Sequence, residues 1–245
     1  MNRSLLIFAL VAALGVSFAS CKKDKKEEPK SKVTPKEAFV ESTKYEDWVY
    51  FSFKKGMVVE VSDPMKDMGW DIAFNRHQIR TNSGLSGSGK GGAARTDNTD
   101  ITASYNVDTL KFLEDKMYFR YVTSPMSPDA KYEFDAMNYM LTTCSFKIAK
   151  NEKDEWDFVP RRDAKGEKIL DKDGNWIREI IKDPIRGVIL RDFKVMPPVY
   201  KVRPEVYAIK DAAGNPVLVK FTDFTNEKGL AGYWKFQYVE LNPSK

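Results

Sequence analysis

The chain has 245 residues, 42% of them apolar and 13% aromatic, with 40 Lys and Arg against 35 Asp and Glu for a formal net charge of +5. That is long and apolar enough for one sizeable core and excludes intrinsic disorder beyond about residue 36, while the interleaving of both charge signs excludes the basic stripe of a nucleic-acid binder. One histidine and two cysteines exclude most ligand and nucleophile sets on which metal or covalent catalysis rests.

Residues 1–20 have the anatomy of an export signal: Arg3, an apolar run from Leu5 to Val16, then Ser17, Phe18, Ala19 and Ser20 before Cys21. The run is too short to span a bilayer. The charged CKKDKKEEPKSK that follows makes Cys21 the expected lipidation site. Residues 21–36 are then a flexible tether and 37–245 a single domain held at a membrane only through its lipid. With Cys21 in the anchor, Cys144 in LTTCSF has no disulfide partner and is expected to be buried and inert.

A short helical turn is predicted over Thr34–Ser42, with Pro35 in its first helical position. From Lys44 onward the pattern is one of strands. In YEDWVYFSFKKGMVVEV, Trp48, Tyr50 and Ser52 alternate with Val49, Phe51 and Phe53, and Lys54-Lys55-Gly56 turns the chain into Met57–Val61.

The run from Trp70 to Ala93, WDIAFNRHQIRTNSGLSGSGKGGA, opens as an alternating strand. It places Trp70, Ile72, Phe74 and, after a slip, Ile79 inside, with Asp71, Ala73, Asn75 and His77 on the polar face. Gly84–Lys90 satisfies the G-x-x-x-x-G-K pattern of a phosphate loop, but Gly91 stands where a hydroxyl must hold magnesium and no helix follows. The expectation is a glycine-rich loop whose glycines permit positive φ or the close approach of another segment. His77 has no HxxxH or CxxC companion, so the chain is expected not to be an enzyme.

Further strands are predicted at Met117–Thr123, Trp156–Val159, Trp176–Ile181, Val206–Lys210, Val217–Phe224 and Tyr233–Leu241, with turns at Asp171–Gly174 and Asp211–Asn215. A second short helix is predicted over Phe134–Leu141, placing Met137 and Met140 three residues apart. Residues 150–186, rich in charged hairpins, look like an insertion. The class is all-β, a single antiparallel domain of sandwich or open barrel-like form with few short helices.

The segments TKYEDWVYFSFKKGMVVEV, WDIAFNRHQIRTNSG with GSGKGGA, and PPVYKVRPEVYAIKDAAGNPVLVKFTDF, taken in this order, resemble the HmuY family of haem-binding lipoproteins of Bacteroidota. The resemblance implies an all-β fold, a lipid-anchored position exposed at the outer membrane, and haem held between loops at one end of the sheet. It further implies a haemophore that takes haem from host haem proteins and delivers it to an outer-membrane TonB-dependent receptor.

The family's best-known iron ligands are two histidines on loops in the second half of the domain, and this chain has neither. The matching regions read VTSPMSPDAKYEFDAMNYM and DFKVMPPVYK, which offer Met126, Met137, Met140 and Met196. A thioether is a soft, neutral ligand that favours ferrous haem, so Met196 with either Met126 or Met137 is the expected ligand set. Met126 lies between Pro125 and Pro128, and Met196 precedes Pro197-Pro198, which places both on irregular loops. The alternative is a binding module of the same fold that has lost haem and engages a protein, a glycan or another tetrapyrrole.

Overall fold

The computed structural model describes residues 33–192 and 199–241. Residues 1–20, expected to be an export signal, lie outside the described residues, as do Cys21 and Met196. In chain order the strands are β1 (Lys36–Glu41), β2 (Val49–Ser52), β3 (Met57–Val59), β4 (Ile72–Asn75), β5 (Gln78–Thr81), β6 (Gly92–Arg95), β7 (Lys116–Tyr121) and β8 (Tyr132–Met137). They continue with β9 (Ile148–Lys150), β10 (Trp156–Phe158), β11 (Ile189–Asp192), β12 (Val199–Val202), β13 (Tyr207–Lys210), β14 (Pro216–Thr225) and β15 (Ala231–Glu240). Among the described residues the only helical element is a 3-10 turn at Val107–Thr109.

Two antiparallel sheets, of order β1-β15-β14-β13-β6 and β3-β2-β4-β5, enclose the main core. On β15 the period of two sends Trp234, Phe236 and Tyr238 inward, and Phe51, Ile72 and Phe74 meet them from the smaller sheet. The rings of Phe51 and Phe236 lie 5.2 Å apart edge to face, and those of Phe74 and Trp234 lie 5.3 Å apart. Each such pair adds about 0.5–1.5 kcal/mol to the burial of its area. The outer face of the larger sheet is covered too: Ala208, Leu218 and Val239 pack under Ile101, Leu110 and Phe112.

Neither predicted helix forms. Thr34–Ser42 contains β1, which pairs with β15 over all six of its residues and turns Val40 into the core. The edge of a sheet that already buries aromatic residues satisfies this backbone and its apolar positions together, which a two-turn helix there cannot do. Phe134–Leu141 is split between β8, paired with β7 in full register, and one turn in which Leu141 and Thr142 N–H groups donate to Asn138 O at 3.2 and 2.8 Å.

The β7–β8 hairpin is tied to the edge of the smaller sheet by the Asn138 N–H to Ile79 O bond (3.0 Å) and by Thr142 Oγ1, which accepts from the Ile79 N–H at 2.8 Å. Residues 146–181 form an arm of nested hairpins bridged at Phe146 and Ile180, Pro160 and Arg178, Arg162 and Lys168, and Leu170 and Trp176. The aromatic root of the arm packs on β7–β8, with Phe158 5.0 Å from Phe119 and the Arg178 guanidinium 3.7 Å from the Phe158 ring centroid. The β11–β12 hairpin follows, and its first strand completes the walls of a cleft.

Candidate functional site

The polar residues of the Trp70–Ala93 run hold the scaffold. Asp71 is buried and its carboxylate accepts from the N–H of Phe53 (2.7 Å) and of Ala212 (2.9 Å), which joins the two sheets. Asn82, wholly buried, donates to the carbonyls of Asp67 (3.0 Å) and Trp70 (2.9 Å) and accepts from the Gly89 N–H at 2.9 Å. The glycine loop wraps this one side chain and its backbone: a Cβ at Gly89 or Gly91 would stand 2.6 or 2.7 Å from Asn82 O. Close approach of a second segment, not phosphate, explains the glycines.

Arg80, also buried, lies 4.2 Å from the Trp48 ring centroid and bonds Tyr50 Oη. It shares Asp135 with Arg120, whose Nε donates to Asp135 Oδ2 at 3.0 Å, and Trp48 Nε1 donates to the same oxygen at 2.7 Å.

Asp115, which nothing in its LEDK context distinguishes, is buried and accepts from the Thr81 N–H (2.8 Å), Thr81 Oγ1 (2.7 Å), Ser86 Oγ (2.7 Å) and Asn138 Nδ2 (2.8 Å). Burial outweighs these donors and pushes its carboxyl up to about 6.

The cleft, of about 520 Å³, opens where the β4–β5 turn, β7, residues 143–146 and β11 converge. Its volume is that of a small-molecule site. Tyr118, Phe119 and Tyr121 of β7 form one wall and Phe146 part of another. Tyr118 Oη locks the two together by accepting from the N–H groups of Ser145 (2.8 Å) and Phe146 (3.3 Å), and burial lifts its phenol to about 12, so it stays neutral. Arg186 and Arg191 bring positive charge, and among the described residues no acidic side chain lines the cleft. Neither arginine makes an ion pair with a described residue.

His77 is not on the polar face of a strand. β4 ends at Asn75, and Asn75 pairs with Gln78, so Arg76 and His77 form a two-residue turn that points the half-buried imidazole into the cleft. Burial first, then the charges of Arg191 and Arg76, hold its pKa well below the usual histidine value.

Of the predicted iron ligands, Met126 is 83% exposed on the loop after β7, next to cleft-lining Pro125. Met137 is fully buried at the end of β8 against Tyr118 and Cys144, and it packs behind the cleft wall without lining the cleft. Met140 is half-buried against the main core. Met196 lies outside the described residues. Neither Met126 nor Met137 lines the cleft; Met126 is the residue next to cleft-lining Pro125. Cys144 is buried and free, its thiol pushed up by desolvation. Among the described residues no group of three or more His, Cys, Asp or Glu side chains is placed to hold a metal ion, and no helix is long and apolar enough to cross a membrane.

The two sheets, with an aromatic-walled cleft beside the β4–β5 turn, make an antiparallel all-β domain. The model of the HmuY protein family matches residues 44–238, and the chain belongs to that family. No curated protein matches the chain at a significant level. Among solved structures, a protein of Bacteroides vulgatus described as HmuY-like and haem-binding superposes with a TM-score of 0.53 at 19% identity, over 84% of this chain and 91% of the other. Apo PinO of Porphyromonas gingivitis gives 0.52 at 15% identity, over 86% and 99%. At such identities the likeness is one of fold.

Proposed function

We propose that the cleft captures haem and that the protein is a lipid-anchored haemophore. The observation that carries this reading is the pairing of aromatic walls with two arginines in one cleft, the complement of a planar apolar body that carries carboxylates. Membership of the HmuY family, together with the fold shared with a neighbour described as haem-binding, supports it.

Bound haem would supply an iron open to donor atoms of the chain. On this reading Tyr121, Phe119 and Phe146 would enclose the macrocycle, Arg186 and Arg191 would hold its carboxylates, and Met126, next to cleft-lining Pro125, would be a thioether candidate for the iron. Met196, five residues past cleft-lining Arg191, is the other thioether candidate. Lipidation at Cys21 places the domain at the outer-membrane surface, where haem drawn from host proteins passes to an uptake receptor.

Haem titration of the mature chain, in air and under dithionite, tests this. The expected result is a saturable Soret shift, tighter in the ferrous state by virtue of the thioethers and weakened about tenfold or more by Met126→Ala or Met196→Ala. Unshifted spectra in both redox states contradict it and favour the module that has lost haem.

A further inference from the structure

His77 is the chain's one histidine, and its surroundings are unlike those of a structural imidazole. A structural histidine donates or accepts at least one hydrogen bond. His77 makes none with any described residue, although it is half-buried. The ionisable groups that face it are Arg76 beside it in the turn and Arg191 across the cleft from β11, both cations that cannot accept a bond from it. Their charge and the burial keep the ring neutral, so a nitrogen lone pair is free at physiological pH.

The turn that presents His77 is also rigid. Arg76 takes φ +49°, a conformation that costs an arginine about 1–2 kcal/mol. Four contacts pay for it: the Arg76 N–H donates to Ser42 O (2.9 Å), Nη1 donates to Thr43 O (2.7 Å), the guanidinium sits 4.3 Å from the Tyr45 ring centroid, and Trp234 Nε1 donates to Arg76 O (2.7 Å). Strain held this firmly beside a cleft is a mark of a preorganised position.

We propose that His77 is a nitrogen donor to the metal of a metalloporphyrin held in the cleft, in place of one of the two thioethers, an inference that rests on the haem reading above. An imidazole binds ferric and ferrous iron alike, so His77 gives the site the ferric affinity that thioethers alone lack.

Metal-free protoporphyrin IX and zinc protoporphyrin IX separate the two ideas, because zinc takes a histidine nitrogen while the metal-free ring takes no ligand. Fluorescence titration of the wild type is expected to show zinc protoporphyrin bound about tenfold or more tighter than the metal-free ring. His77→Ala should abolish that preference, so that the two rings bind alike, and recover the zinc preference when free imidazole is added. His77→Asn, whose side chain suits a tight turn, repeats the test if the alanine variant melts early. A zinc preference that survives both substitutions overturns the role of His77 while the haem reading stands. Absence of binding by either porphyrin to the wild type overturns the haem reading and the inference with it.

Discussion

Asn82 decides the conformation of the loop that leads into β6 on the other sheet: its amide holds the carbonyls of Asp67 and Trp70 and the N–H of Gly89, and the Gly91 N–H donates to the backbone carbonyl of Asn82 at 3.0 Å. Asn82→Ala leaves buried backbone groups without partners and should lower stability by about 3 kcal/mol in urea denaturation. A loss below about 0.5 kcal/mol would show that water replaces the amide. Asp115 makes the pH behaviour. Its folded pKa of about 6 lies above the unfolded value near 3.9, so its favourable contribution is complete below about pH 4 and is lost as pH rises through about 6. Stability of the wild type relative to Asp115→Asn should fall by roughly 2–3 kcal/mol between pH 4 and 7; parallel curves contradict this. Neither the role of Asp115 nor that of His77 was legible in the sequence. The partners of Asp115 come from Thr81, Ser86 and Asn138, and the alternation that seemed to carry His77 along a strand runs through a turn whose two central residues, Arg76 and His77, are neither Gly, Asn nor Pro.

Turn chemistry was the most legible layer among the elements. Five hairpins share one loop, opened by Asn151, Asp163, Asp171, Asp211 or Asn226, whose side-chain Oδ1 accepts from the N–H group four residues on, at 2.7–3.1 Å. The fourth residue of each takes positive φ: Gly166, Gly174, Gly214 and Gly229, but Asp154 (φ +62°) in the first. Asp154→Gly should therefore raise stability by about 0.5–1 kcal/mol, read as a higher midpoint of thermal unfolding, since only an exposed ion pair with Lys150 is lost; an unchanged or lower midpoint would mean that the aspartate turn is unstrained. Helix prediction failed at both attempts for one reason. Pro35 in first position and a methionine pair at i, i+3 are local signals, whereas β1 and β8 are decided by partners at β15 and β7.

Across the whole molecule, the sandwich followed from period-two alternation in β2, β4, β14 and β15, and the family from motifs whose residues prove to be the scaffold: Asp71, Arg76, Arg80 and Asn82. The cleft did not follow, because its walls come from positions 77–78, 118–125, 143–146 and 184–191, four stretches that only the tertiary fold assembles. Its charge gives a further expectation. Arg186→Ala and Arg191→Ala should each weaken porphyrin binding ~2–5-fold, and the effect should shrink in high salt, as exposed ion pairs do; a salt-independent loss would point to packing. The location of the ligand is the central claim, and an amide chemical-shift map of the labelled protein with gallium protoporphyrin IX, which is diamagnetic and resists reduction, tests it most directly. Shifts concentrated at residues 77–78, 118–121, 143–146 and 186–191 are the expected result. Saturable shifts centred elsewhere, or none at all, would contradict the assignment of this cleft.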